Sequence, residues 1–199
     1  RMISAYFMHL AVLIAIYIIL VVSLNLAIGY TGMLNLSHIA FFGIGAYASA
    51  LLAKLGVPFL LSFLAAGILA ALFGFFVVFI TKRLKGDYFA LATLGLAFVV
   101  YSLMVNWKSL TNGLAGVFAV PKPVIMGISF QSTGAYLILA VAVCALSVLF
   151  IRRIVTSPFG RLLQATRDDE TRLQVLGKNT IAIKYKIMII SAFFAGIAG

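Results

Sequence analysis

Apolar residues arrive along this 199-residue chain in blocks near 20 long, and short segments between the blocks hold almost all of the charge. A helix of about 20 residues is what it takes to cross about 30 Å of hydrocarbon. The pattern predicts spans over residues 5–28, 33–53, 59–80, 87–105 and 135–151, with a sixth beginning near 187. The first block is too long for the apolar core of a signal peptide, and no small-residue cleavage site follows it, so it reads as a true span. The fold class expected is all-α, a polytopic helical transmembrane protein. Because the chain opens at Arg1 and stops at Gly199 inside an apolar run, we expect a single transmembrane domain over 1–199, truncated at both ends.

Composition sharpens this reading. Hydrophobic types make up 64% and charged types 10%, with a mean hydropathy of +1.20, against about 45–50% and about 25% in soluble domains. A water-soluble globular domain is excluded. The net charge of +11 would by itself suggest nucleic acid, but Lys82, Arg83 and Lys85 fall in 81–85, and eight more cations fall in 152–186. Two predicted spans separate those segments, so both lie on one side, and the positive-inside rule makes that side cytoplasmic. Arg1, Lys54, Lys108 and Lys122 then face out. Cys144 is the only cysteine and sits in an apolar block, so an intramolecular disulfide and a cysteine zinc site are both excluded.

The acids are equally informative. Asp87 lies at a span boundary, and Asp168, Asp169 and Glu170 lie in the basic stretch, so no carboxylate is placed in mid-membrane. Ion-coupled carriers need buried ionisable groups on the ion path, and only His9 and His38 remain for that. Those histidines are 29 residues apart and leave no metal site or catalytic triad to assemble, so we expect no enzyme. Gly177-Lys178 is followed by Asn179 and lacks the upstream glycine of a phosphate loop. If ATP drives this protein, another subunit binds it.

Several segments carry candidate function. Gly29-Tyr30-Thr31-Gly32 interrupts two apolar blocks and is followed by Asn35, Ser37 and His38. One reading is an ordinary turn between spans; the other is a broken backbone at membrane depth, tolerated only where protein or water satisfies it and suited to a zwitterionic substrate. Asn35 and His38 would share a helix face and form either an interhelical hydrogen bond or a ligand contact. His9 and Asn25 read as packing or interfacial residues. Small residues at four-residue spacing (Gly45/Ser49, Ala46/Ala50, Ala66/Ala70/Gly74, Ser191/Ala195/Gly199) are packing stripes, one of which could face a partner subunit. Gly86-Asp87-Tyr88 caps the fourth span. The outer connection, 106–134, contains Trp107, Thr111, Asn112, Gly113, Pro121 and Pro123; it reads as a docking surface for an external protein or as a short re-entrant helix.

Within 152–186, Ser157 before Pro158 marks a helix N-terminus, and Thr166-x-x-Asp169 fits a capping box. A second short helix should start near Arg167, place Asp168, Asp169 and Glu170 at its positive end, and stop at Gly177. Leu173 and Leu176 would share a face. Standing alone, this is an amphipathic helix resting on the bilayer.

The segments LNLAIGYTGMLNLSHIAFFGIGAY at 24–47, LKGDYFALATLG at 84–95, LTNGLAGV at 110–117, SPFGR at 157–161 and LGKN at 176–179 together resemble the M-type permease family of bacterial branched-chain amino acid ABC transporters. The resemblance implies one half of a heterodimeric pore in the bacterial inner membrane, moving leucine-, isoleucine- or valine-like amino acids inward. It also implies an H-type partner permease, two cytoplasmic subunits that bind the ATP, an external amino-acid-binding protein, and no cofactor in this chain. Placing Gly177 on the glycine of the family's ATPase-coupling loop puts Thr171-Arg172-Leu173 at its EAA element. Asp169, Glu170, Thr171, Arg172, Leu173, Leu176 and Gly177 then form the coupling element. Thr171 stands where the pattern is acidic, and Ile190 stands where it closes on proline. Two other readings stay open: a related permease for urea or short amides, and a passive channel or interaction subunit whose basic loop binds anionic membrane lipid.

Overall fold

A computed structural model describes residues 2–84, 86–118, 120–121, 124–125, 128–129 and 132–199. Arg1, Lys85, Lys122 and Pro123 lie outside the described residues. The apolar blocks form α1 (Met2–Thr31), α2 (His38–Lys54), α3 (Phe59–Thr81) and α4 (Asp87–Asn106). After the outer connection come α6 (Thr133–Thr156), α7 (Pro158–Asp168), α8 (Glu170–Val175) and α9 (Thr180–Ala198). The outer connection contains the one-turn α5 (Lys108–Thr111) and two antiparallel two-residue strands, β1 (Val124–Ile125) and β2 (Ile128–Ser129). Among the described residues, α1, α3, α4, α6 and α9 are long and apolar enough to cross a membrane, and α2 is shorter at 17 residues. The all-α reading holds for every spanning element.

Helix α9 is the centre of the bundle, packed against α1, α2 and α3. Lipid tails are as apolar as leucine, so close van der Waals contact, not the hydrophobic effect, holds such helices together. The small-residue stripes serve that purpose inside this chain: Ala66, Ala70 and Gly74 of α3 meet Met188, Ala192 and Gly196 of α9, and Gly45 of α2 lies against the Gly196 carbonyl. At these positions the stripes pack within the chain. Tyr17 and Val21 of α1, Leu72 and Phe79 of α3, and Leu91 and Phe98 of α4 are exposed outward instead.

Three predicted boundaries are corrected. Helix α9 begins at Thr180, not near 187, because the Asn179 side chain accepts the Ala182 N–H and caps it. The predicted cytoplasmic stretch 152–186 therefore contains the end of α6 and the first two turns of α9. Helix α2 begins at His38, not at 33. And α7 and α8 break at Asp169, not Arg167: the Asp169 carboxylate accepts the N–H groups of Thr171 and Arg172 at 3.0 Å each, while the Thr166 hydroxyl donates within α7 to the Leu162 carbonyl at 2.7 Å. The capping box is thus an Asp169 cap. Replacing Asp169 with alanine is expected to fray α8, and Thr166→Ala is not; amide hydrogen exchange over 170–176 distinguishes the two.

Candidate functional site

The link between α1 and α2 carries the main polar feature. Helix α1 continues through Gly29, Tyr30 and Thr31, and the break comes at Gly32, whose φ of +69° favours glycine. The following residues do not simply turn at the membrane edge. His38 Nε2 lies 3.0 Å from Ser23 Oγ and 3.2 Å from the Leu20 carbonyl. Ser23 is eight residues before the end of α1, about 12 Å along its axis. Residues 32–37 therefore run back into the bundle in a non-helical conformation, and α2 is short because it starts at that depth.

Backbone at such depth needs internal partners, and side chains provide them. The Leu36 N–H donates to Thr93 Oγ1 of α4 at 3.1 Å, and the Ser37 N–H and hydroxyl donate to Asn35 Oδ1 at 3.1 and 2.7 Å. Asn35 Nδ2 lies 3.3 Å from the Met188 sulfur of α9, and the Ser191 hydroxyl donates to the Ser23 carbonyl at 2.7 Å. Asn35 is 1% exposed and His38 4%. A carbonyl only accepts, so the bond to Leu20 places the imidazole proton on Nε2 and leaves Nδ1 as an acceptor. Among the described residues, Nδ1 is the buried side-chain polar atom with no hydrogen-bond partner. Asn35 and His38 do not share a helix face as predicted, since Asn35 precedes the helix; Asn35 is buried against α9 and His38 against α1.

The remaining predicted pathway residues separate. Thr31 and Gly32, with Met33 and Leu34, line a cavity of about 390 Å³ closed by the end of α3, the start of α4, Arg167, Glu170 and Lys184. Gly29 and Tyr30 line a different cavity with Asn25, Gln164, Arg167 and Asp168. The Arg167 guanidinium donates from Nη1 to the Gly29 carbonyl at 2.7 Å, tying α7 to the C-terminal end of α1 where a cation is favoured. The sequence carries no signal for that pairing, because 138 residues separate the two.

The predicted coupling residues form a projecting unit. Asp169 caps α8, and Arg172 Nε sits 2.8 Å from its carboxylate. The backbone N–H groups of Arg172 and Thr171 and the Arg172 charge hold the Asp169 carboxyl below its ordinary range. At the other end, the N–H of Gly177 bonds to the Gln174 carbonyl and that of Lys178 to the Leu173 carbonyl, both at 3.0 Å, with Gly177 at φ +75°. This is a Schellman cap. Leu173 and Leu176 do not share a face: Leu173 is 6% exposed and anchors the helix, whereas Leu176 is 74% exposed and Val175 84%. Glu170 forms a two-oxygen ion pair with Lys184 of α9, Nζ lying 2.8 and 2.9 Å from its oxygens, with both side chains largely buried. Lys184 was not among the predicted coupling residues; its i, i+4 and i+7 relation to Met188 and Ser191 was legible only once α9 was known to start at Thr180.

In the connection between α4 and α6, the four predicted docking residues divide. Trp107 and Asn112 are exposed, while Thr111 and Gly113 are buried in a local structure in which the Thr111 hydroxyl approaches the carbonyls of Met104 and Trp107 at 2.6 and 2.9 Å. Asn112, at φ +62°, ends α5 in the left-handed conformation. Leu114 and Phe118 are exposed apolar neighbours that the prediction omitted. Gly86, at φ +54°, precedes α4, but no side-chain hydrogen bond caps that helix, so the predicted cap is a backbone turn.

A family model described as the permease component of the branched-chain amino acid transport system matches residues 6–199. The high-affinity branched-chain amino acid transport system permease protein LivM of Escherichia coli is 35% identical over 223 residues, covering 100% of this chain and 52% of that protein. The protein of the same description from Salmonella typhimurium is 34% identical with the same coverage. A probable branched-chain amino acid transport permease protein LivM of Methanocaldococcus jannaschii is 27% identical over 222 residues, covering 92% of this chain and 63% of its own. The chain spans about half the length of the first two relatives. No solved structure matches it.

Proposed function

Because the chain belongs to the family of permease components of branched-chain amino acid transport systems, we propose that it forms half of the membrane pore of an ATP-driven importer for leucine, isoleucine and valine. It is a multi-pass inner-membrane protein. An H-type permease completes the pore, two cytoplasmic subunits bind the ATP, and an external binding protein delivers the substrate near Trp107, Asn112, Leu114 and Phe118. This chain carries out no covalent chemistry.

The observation that carries this reading is a series of contacts that helix α9 connects, from α8 at one end to the non-helical segment at the other. Val175 and Leu176 offer an apolar tip to an ATPase, and Leu173 anchors the tip from behind. Glu170 passes displacement to Lys184 of α9. One and two turns further along α9, Met188 touches Asn35, and Ser191 holds the Ser23 carbonyl beside His38. A partly buried ion pair is a stiff link, because separating its members exposes each to a poorly compensated environment. Movement of α8 is thus delivered to residues 29–38. As the helices part, the freed backbone groups and the open His38 Nδ1 acceptor become available to a zwitterion.

Uptake of labelled leucine into liposomes that hold the full-length protein with its partner permease, ATPases and binding protein tests the proposal. ATP-dependent uptake suppressed by isoleucine or valine, and not by urea, is expected. Suppression by urea would assign the chain to amide transport, and ATP-independent flux would make it a channel.

A further inference from the structure

The cavity of about 390 Å³ at the cytoplasmic ends of the helices falls in the size range of small-molecule sites, about 300–1,000 Å³. Its wall is of two kinds. Met33, Leu34, Val78 and Phe89 are apolar, while its charged groups are Lys82, Asp87, Arg167, Glu170 and Lys184. Three of those charges are already engaged: Glu170 with Lys184, and Arg167 with the Gly29 carbonyl. Among the described residues, neither Lys82 nor Asp87 belongs to an ion pair. Lys82 Nζ only overlies the Phe79 ring at 4.9 Å, and the Asp87 carboxylate begins α4 without capping it. One cation, one carboxylate and an aliphatic surface in one cavity match the three parts of an amino acid with a branched apolar side chain.

We propose that this cavity is an exit site, in which Lys82 takes the carboxylate of the translocated amino acid, Asp87 takes its ammonium group, and Met33, Leu34 and Val78 contact its side chain. The assignment rests on the substrate class proposed above. Its position supports an exit role, because Gly32 to Leu34 join the cavity to the buried segment of Asn35, Ser37 and His38. The site lies at the same end as α8, and Glu170 lines it while also linking α8 to α9. Occupancy by product is thereby sensed where ATPase movement enters the bundle.

Equilibrium binding of labelled leucine to the purified full-length permease complex, without its external binding protein, tests the site. Leucine is expected to bind saturably, and leucinamide and 4-methylpentanoate, which lack the carboxylate and the ammonium respectively, each about tenfold more weakly, as for loss of a charged hydrogen bond. Lys82→Gln should equalise leucine and leucinamide, and Asp87→Asn should equalise leucine and 4-methylpentanoate. If either variant fails to assemble, Leu34→Trp fills the cavity from a position that is already partly exposed and should abolish binding. Unchanged discrimination in the variants, or binding unaffected by Leu34→Trp, overturns the site. No saturable binding by a complex that still imports leucine with ATP overturns the exit site alone, whereas loss of leucine import in the unaltered assembly overturns the substrate class as well.

Discussion

Gly196→Leu is expected to prevent the bundle from assembling, while Gly95→Leu leaves it intact. A Cβ built on Gly196 would collide with the Cβ of Ala70 and sit 2.7 Å from the Ala66 carbonyl oxygen, and the Gly196 carbonyl in turn lies against Gly45 of α2. The obstructing atoms are backbone or the stub of alanine, so no side chain can rotate away, and α9 would have to separate from α3, which also disturbs the close approach of the Gly196 carbonyl to α2. Overpacking a core costs about 1–3 kcal/mol even where neighbours relax; here the cost should reach at least about 3 kcal/mol, because helix contact in lipid depends on close packing with no solvent term to offset its loss. At Gly95, on the outward face of α4, nothing lies within 4 Å of a new Cβ. Thermal unfolding in detergent and the yield of monodisperse protein read out both variants, and equal midpoints would show that α9 is not the packing centre.

Gly177→Pro should separate ATP hydrolysis from transport. Proline holds φ near −65° and has no N–H, whereas Gly177 sits at φ +75° and donates to the Gln174 carbonyl. Both requirements of the Schellman cap fail together, so the chain after Leu176 leaves in another direction and the exposed Val175–Leu176 tip is re-aimed. The Asp169 cap and the Leu173 anchor are untouched, so α8 itself persists. We expect leucine uptake per ATP hydrolysed to fall by about tenfold or more, equivalent to at least about 1.4 kcal/mol of lost coupling, with binding of the external protein unchanged. Gly177→Ala keeps the N–H and meets only the left-handed penalty, about 1–2 kcal/mol, so its effect should be intermediate. Full coupled transport by the proline variant would remove residues 169–177 from the coupling role.

The local signals in the chain were sufficient wherever the physics is local. The length of an apolar block sets a span, a serine before proline starts α7, and a glycine with no side chain ends α8 at Gly177; each depends on residues within a turn or two. The placement of cations between blocks gives an expected orientation for the same reason, since each segment meets the membrane surface on its own account. Even so, the cap at Asp169 was misplaced by competition between two residues three apart, both able to accept a backbone N–H.

What the sequence by itself determined was therefore the membrane class, the approximate place of the apolar blocks and the family. Only the tertiary structure decided that residues 32–37 return to the depth of Ser23, because their polar groups are satisfied by Thr93, Met188 and neighbouring side chains that lie 57 and 153 residues away in the chain. The tertiary structure alone also paired Glu170 with Lys184 and Arg167 with Gly29, and set Gly45, Ala66, Ala70 and Gly74 against α9. An apolar residue at a given helical position reads the same whether it faces lipid or another helix, since both surroundings are equally apolar. Packing geometry distinguishes them, and that geometry exists only once the helices have met.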